Sequence, residues 1–388
     1  MLHTGYFDWA ATAPLSADAS QEYVRIAERY IGNPSSIHRE GRIAAQYLEQ
    51  LRAEIASCMN AEPKSVVFTA GGSESDAIIL NSLLRSKAPG QVVIPRFEHA
   101  AVTQYVRILE DFGWDVRLIQ APGGFVRPEQ IANVLTEKTR LVCCMFVNNV
   151  TGTIQDISGI ASVIRAHERN IGRKVHFHCD AVQALGKIAV DVRALGIDSA
   201  AFSAHKFCGP RGVGILYNSN PAIAALSRGG GQENGLRPGT ENLAGIAAMA
   251  TALRSAVNDL DIHLNHARTI RRYFERRFAE DAPELVLLSP PIDSELLSSS
   301  YILSVSVPGI PSEVFTRMLF DQGFCVSSGS ACSNNAKQKG EGVLQAMGFD
   351  SRLSASSVRI SYGYDTTLED ARRLADAIVE LFYKHMRK

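Results

Sequence analysis

An α/β fold, with a mainly parallel seven-stranded sheet covered by helices on both faces and a smaller α+β domain after it, is what this 388-residue sequence predicts. Two observations carry the expectation. Short β-rich runs alternate with longer amphipathic stretches through the first half, which implies crossover connections between parallel strands. After a Gly-rich stretch at 229–239 the pattern changes to long helical segments with brief strands.

The strands are read in order as SVVFTA (65–70), QVVIP (91–95), WDVRLIQ (114–120), RLVCCMFVNN (140–149), KVHFHCD (174–180), SAAFSA (199–204) and GVGILYN (212–218). Helices are expected after Ser73, from about His99 to Phe112, and from Ile157 to Glu168. A long helical region follows from about Thr240 to Ala279, and the second domain starts near residue 260. There YILSVSV (301–307), a helix from Ser312 to Gln322, SVRIS (357–361) and a last helix are expected. Leu368, Ala371, Ala375, Ile378 and Phe382 give that last helix an apolar stripe, and Thr366 with Glu369 forms a candidate capping box.

Composition excludes several classes. Lys plus Arg balance Asp plus Glu at 40 each, so no global field draws nucleic acid or an anionic membrane. The N-terminus shows no signal-peptide pattern, and the longest apolar run, Leu141 to Val147, falls far short of the ~20 residues of a membrane helix. Seven cysteines, an odd number with no CxxC pair, indicate neither a disulfide framework nor a zinc finger. A cytoplasmic protein with no membrane or direct nucleic-acid partner is the expectation.

In parallel α/β sheets ligands gather at the C-terminal ends of strands. Three such ends carry unusual polar residues. TAGGSES (69–75) is either a phosphate cradle or a glycine turn with a Ser N-cap. HFHCDAVQ (176–183) places His176, His178 and Asp180 on one strand face: a metal site, a carboxylate for a cationic ring nitrogen, or a helix cap beside packed histidines. FSAHKFCGPRGVG (202–214) sets Lys206 at a strand end before a Gly-rich turn, where lysine becomes a nucleophilic amine. Phosphate cradle, carboxylate and imine-forming lysine together are what pyridoxal 5′-phosphate (PLP) requires.

With these residues in view, the chain resembles the cysteine desulfurases of the NifS/IscS type, within the class-V aminotransferase group of fold type I PLP enzymes. The resemblance spans nearly the whole length. It rests on FDWAATAP (7–14), GNPSSIH (32–38), GGSES (71–75), EHAAV (98–102), VNNVTGTIQDI (147–157), HCDAVQ (178–183), SAHKFCGPRGVG (203–214), GGGQENGLRPGTEN (229–242) and SSGSACS (327–333).

The resemblance implies that Lys206 carries the cofactor as a Schiff base, that Asp180 meets the pyridinium nitrogen, and that Gln183 donates to the phenolic oxygen. His99 would stack on the ring and shuttle protons. Gly72, Ser73, Ser203 and His205 would hold the phosphate, and Thr240 would reach the phosphate of a partner subunit in a homodimer. Asn149 and Arg359 would hold the substrate carboxylate, with Asn149 also binding the cofactor. SSGSACS resembles the catalytic loop of the first desulfurase group, with Cys332 taking sulfur from L-cysteine as a persulfide and leaving L-alanine. A scaffold for iron–sulfur cluster assembly or a tRNA-thiolation enzyme would accept that sulfur. No resident metal is implied; Cys332 would meet an iron–sulfur acceptor only transiently. On this reading residues 15–258 form the PLP-binding domain. Residues 259–388, with 1–14 packed on them, form the domain carrying the loop 327–342.

The sequence departs from the family pattern at Val150, where an acidic residue is usual, and at Lys337-Gln338-Lys339-Gly340 after the loop. Competing readings are another fold type I enzyme such as an aminotransferase or selenocysteine lyase, a non-catalytic sulfur-assembly partner, and a metal hydrolase using His176, His178 and Asp180.

Overall fold

A computed structural model describes residues 4–295, 297–329 and 342–386. Seven strands form the large sheet: β1 (Val66–Thr69), β2 (Gln91–Pro95), β3 (Asp115–Ile119), β4 (Thr139–Cys143), β5 (His176–Asp180), β6 (Ser199–Ser203) and β7 (Gly214–Asn218), in the spatial order β1-β7-β6-β5-β4-β2-β3. The strands from β3 to β6 pair in parallel. Strand β7 runs antiparallel to both β6 and β1. The physical reason is connection length. A parallel return needs a crossover of about a dozen residues or more, and the 204–213 connection instead holds a tight turn.

The central strands are buried along their whole length, including the polar residues of β5, whereas edge strand β3 alternates exposed and half-buried residues before a buried Ile119. The crossover helix Ile157–Ile171 shows why such segments fold locally. Asp156 Oδ1 caps it by accepting from Gly159 N at 2.8 Å, its apolar stripe is buried, and Gly172 ends it at φ +66°.

A second, four-stranded antiparallel sheet orders β10 (Ser327–Ser328), β11 (Ser357–Ser361), β9 (Ile302–Ser306) and β8 (Val286–Leu287). Its core gathers Phe274, Leu303, Phe315, Ile360 and Phe382. Phe7 belongs to this core too, and Phe7 N donates to Cys325 O at 2.8 Å. A few residues beyond, the same N-terminal segment ties to the large sheet's turn, Ala13 N donating to His205 O at 2.8 Å.

Several expectations shift in detail. The strand expected to reach residue 149 ends as regular structure at Cys143, although Phe146 N still donates to Asp180 O at 2.9 Å. The helix from His99 is interrupted at Gln104, where Thr103 Oγ1 bonds back to His99 O at 3.4 Å. The long helical region divides into Leu243–Asn258 and Leu260–Asp281 because Asp259 leaves helical geometry, and Asn-Asp pairs favour turns. The capping interaction of Leu368–Met386 uses Thr367 and Asp370, one residue beyond the expected pair, with Asp370 N donating to Thr367 Oγ1 at 3.0 Å. Helices Ala17–Arg29 and Arg39–Ser57 were not expected; the first buries only Ala19 and Ile26, too thin a stripe to read.

Candidate active site

The polar strand ends converge along the edge where β1, β5 and β6 terminate. At β1, Gly71 and Gly72 open the helix Gly72–Leu83 without a side-chain cap, which leaves first-turn N–H groups for an anion. Ser203 Oγ lies 3.5 Å from where a side chain on Gly71 would begin, and a Cβ on Gly72 would meet Val182 Cγ2 at 2.5 Å. Glycine is therefore what lets the helix start approach the segment after β5. Ser73 is exposed on that first turn, and Ser203 is buried beside it.

Asp180 ends β5 with 6% exposure, and its Oδ1 accepts from Val182 N at 3.0 Å. Burial pushes its carboxyl up to about 6, with Asp76 adding to the shift and His99 opposing it. Two further buried carboxyls crowd the region. Burial raises Asp76 to about 8, and burial together with Asp180 holds Glu98 well above the usual carboxylate range. Glu98 Oε1 accepts from Met145 N at 2.5 Å, while its buried Oε2 has no hydrogen-bond partner among the described residues. Three carboxyls sharing low-dielectric space cannot all ionise, so the region favours an added cation.

The two strand histidines are already engaged. His178 Nε2 meets Asp76 Oδ1 at 2.9 Å, and both His178 Nδ1 and His176 Nε2 meet Ser199 Oγ at 2.7 Å. His176 Nδ1 pairs with Asn220 Nδ2 at 3.0 Å. Burial lowers His178 to about 4 and His176 to about 3, so the Asp76–His178 contact joins neutral groups at neutral pH. All four ring nitrogens are thus spent on protein partners, and no group of three metal-ligating side chains occurs among the described residues.

Lys206 follows β6 in the tight turn Ala204–Lys206, which aims it at the N-terminal segment. Its Nζ donates to Ala10 O at 2.6 Å and Ala11 O at 2.7 Å. Gln183 Nε2 donates to the same Ala10 carbonyl at 2.9 Å, and Lys187 Nζ donates to Gln183 Oε1 at 2.7 Å. His205 Nδ1 meets Thr12 Oγ1 at 3.1 Å, and burial beside Lys206 lowers this imidazole to about 4. His99 caps the helix Ala100–Thr103 by accepting from Ala101 N at 3.1 Å through Nδ1, which leaves its ring proton on Nε2.

A second cluster faces this one from the small sheet. Arg359 on β11 donates to Asn149 O at 3.0 Å, Asp8 Oδ1 at 2.7 Å and Ser327 Oγ at 3.1 Å. Its buried Nε has no hydrogen-bond partner among the described residues. Ser327 Oγ also donates to Asp8 Oδ1 at 2.8 Å. Val150, at the position usually acidic, is 2% exposed within the large core, where an unpaired carboxylate would be costly. Thr240 lies apart from both clusters, exposed and 3.4 Å from Asn33 Nδ2. Cys332 and its neighbours 330–341 lie outside the described residues.

Residues that the sequence did not single out include Asp8, Asp76, Glu98 and Lys187. Asp8 and Glu98 sat inside noted motifs. Asp76 follows Ser73 by three positions on the same helix, a signal that could have marked it. Lys187 carried none.

The Aminotransferase class-V family profile matches residues 5–374. A curated protein of Dictyoglomus turgidum, named cysteine desulfurase IscS, is 33% identical over 98% of this chain and 94% of its own. A solved structure titled NIFS-like protein superposes with a TM-score of 0.88 at 31% identity, covering 97% of this chain and 98% of its own. Another, titled SspA in complex with cysteine, has a TM-score of 0.77 at 28% identity and covers 94% of this chain and all of its own.

Proposed function

The chain belongs to the aminotransferase class-V family, and on that premise we propose that it is a PLP-dependent cysteine desulfurase, taking sulfur from L-cysteine and releasing L-alanine. The observation that carries the reading is the buried Asp180 carboxyl, raised by burial, at the same sheet edge as Lys206 and the glycine cradle. A cationic ring nitrogen would relieve Asp180, an uncapped helix start with Ser203 suits a phosphate, and Lys206 supplies the amine that links to an aldehyde. The residues therefore fit PLP, whose role when bound is to accept electrons from the substrate's Cα.

The chain's own groups account for the rest. Gly72, Ser73, Ser203 and His205 hold the phosphate, and Thr240 completes the phosphate site of a second copy in a homodimer. Asp180 keeps the ring nitrogen protonated, and Gln183 donates to the ring oxygen. Lys206 removes and returns the proton at the substrate's Cα. His99, with its ring proton on Nε2, would stack on the cofactor ring and could exchange a proton at the substrate sulfur. Asn149 and Arg359 hold the substrate carboxylate; the orphaned Arg359 Nε is a buried donor suited to a carboxylate oxygen. Cys332 receives the sulfur as a persulfide and passes it to an acceptor protein, a scaffold for iron–sulfur clusters or a thiolation enzyme. These roles divide the chain at 258/259, between a cofactor unit and a unit carrying the loop 327–342. We place its site of action in the cytoplasm; no helix among the described residues is long and apolar enough to cross a membrane.

The test compares wild type with Cys332→Ala, measuring alanine and sulfide from L-cysteine with a reductant. Equal yields of both products that depend on Cys332 are expected. A Cys332→Ala protein that mobilises sulfur at the full rate would overturn the reading. Conversion of a 2-oxo acid with glutamate would mark an aminotransferase instead.

A further inference from the structure

Lys187 is a buried amine that the proposed reaction does not use. It is 7% exposed, and it reaches Gln183 Oε1 at 2.7 Å from the segment after β5. The cavity beside it, about 40 Å³ and lined by Lys206 as well, admits a water or two.

We propose that Lys187 is a positioning residue that fixes the Gln183 carboxamide with its carbonyl inward and its NH2 outward, toward Ala10 and Lys206. The two ends of a glutamine amide are nearly isosteric, so packing alone does not choose between them; hydrogen-bond partners do. An ammonium only donates and a backbone carbonyl only accepts. Lys187 therefore selects the oxygen end and Ala10 O selects the nitrogen end. Ala10 O is shared with Lys206, whereas the Lys187 contact does not depend on what Lys206 bonds. The inference rests on the proposed role of Gln183 as the donor to the cofactor's ring oxygen.

The amine titrates within reach of neutral pH. Burial, with Lys206 and Arg359 adding to it and Cys208 opposing, lowers it to about 7, and His205 in turn feels the Lys187 charge. Above that pH Lys187 can also accept, and its selection of the oxygen end weakens.

The test uses the holoenzyme of wild type, Lys187→Met, Gln183→Leu and the double variant. The readouts are the cofactor dissociation constant and the pH at which the lysine-linked cofactor's visible absorption titrates. Lys187→Met should weaken cofactor binding on the order of tenfold. It should also move the titration upward, because a donor to a negative oxygen is lost. The double variant should be no worse than Gln183→Leu alone. A Lys187→Met protein with wild-type affinity and titration, or fully additive losses, would overturn the inference. If Lys187→Met does not fold, the wild-type apoprotein still decides. Its Gln183 side-chain amide resonances should shift where Lys187 itself titrates, and an amide that does not respond to that titration would overturn the inference. A wild type that takes up no PLP would instead bring down the functional reading itself.

Discussion

Asp180 and Arg359 occupy two different sheets and are prepared for charge in opposite ways. Asp180 ends β5 among other buried carboxyls, and burial raises it with no ion-pair partner among the described residues. Arg359 lies on β11 already paired with Asp8, holding one buried N–H in reserve. A crowded acid favours the arrival of a cation, whereas a half-spent guanidinium binds an anion without meeting an unshielded charge beforehand. The large sheet is thus suited to activate a cofactor and the small sheet to grip a substrate.

Three experiments break or sharpen that contrast. The largest effect is expected from Lys206→Ala on the large-sheet side, a loss of alanine formation on the order of a thousandfold or more, measured as turnover of L-cysteine. The lysine-linked absorption should vanish with it. A Lys206→Ala enzyme that keeps turnover and loses only substrate affinity would erase the distinction between the two sides.

On the small-sheet side, Arg359→Lys keeps the charge and discards the planar fork. KM for L-cysteine should rise by about tenfold to a hundredfold while the cofactor absorption stays unchanged. Steady-state kinetics and a spectrum decide it, and a changed spectrum with constant KM would reverse the assignment of the sheets.

The smallest effect concerns stability alone. Burial raises Asp76 to about 8 in the folded chain, against about 3.9 unfolded, so folding favours the protonated acid. Stability from this group is full below the unfolded value and declines as pH rises toward 8. His178 opposes the trend only between its folded value of about 4 and its unfolded value of about 6.5. Between about pH 6.5 and 8, Asp76→Asn should therefore remove a decline of about 1 kcal/mol per pH unit, read by denaturant titration of the apoprotein. An unchanged slope would show that Asp76 is not held neutral.

The two sides were unequally legible. Lys206, Asp180 and the glycines of 71–72 stood out because each interrupts a strand pattern at its C-terminal end, and strand ends in a parallel sheet share one edge. The strands themselves were legible from alternation and apolar runs, to within a few residues. Arg359 had no such context: SVRIS reads as an ordinary strand, and only the resemblance singled it out. Asp8 and Lys187 were not singled out because their partners lie 351 residues away at Arg359 and four residues away at Gln183, and neither separation disturbs a local pattern.

The sequence by itself determined the α/β alternation, the glycine-opened helix, the strand-end lysine and the membership in the aminotransferase class-V family. These follow from local rules, since period, turn chemistry and caps act over a few residues. Only the tertiary structure decided which charges are neutral and which are paired. It buried Asp76 against His178, set the Ala10 carbonyl between Lys206 and Gln183, and brought Asp8 to Arg359. Protonation and pairing depend on what surrounds a group in space, and burial by distant segments sets that environment.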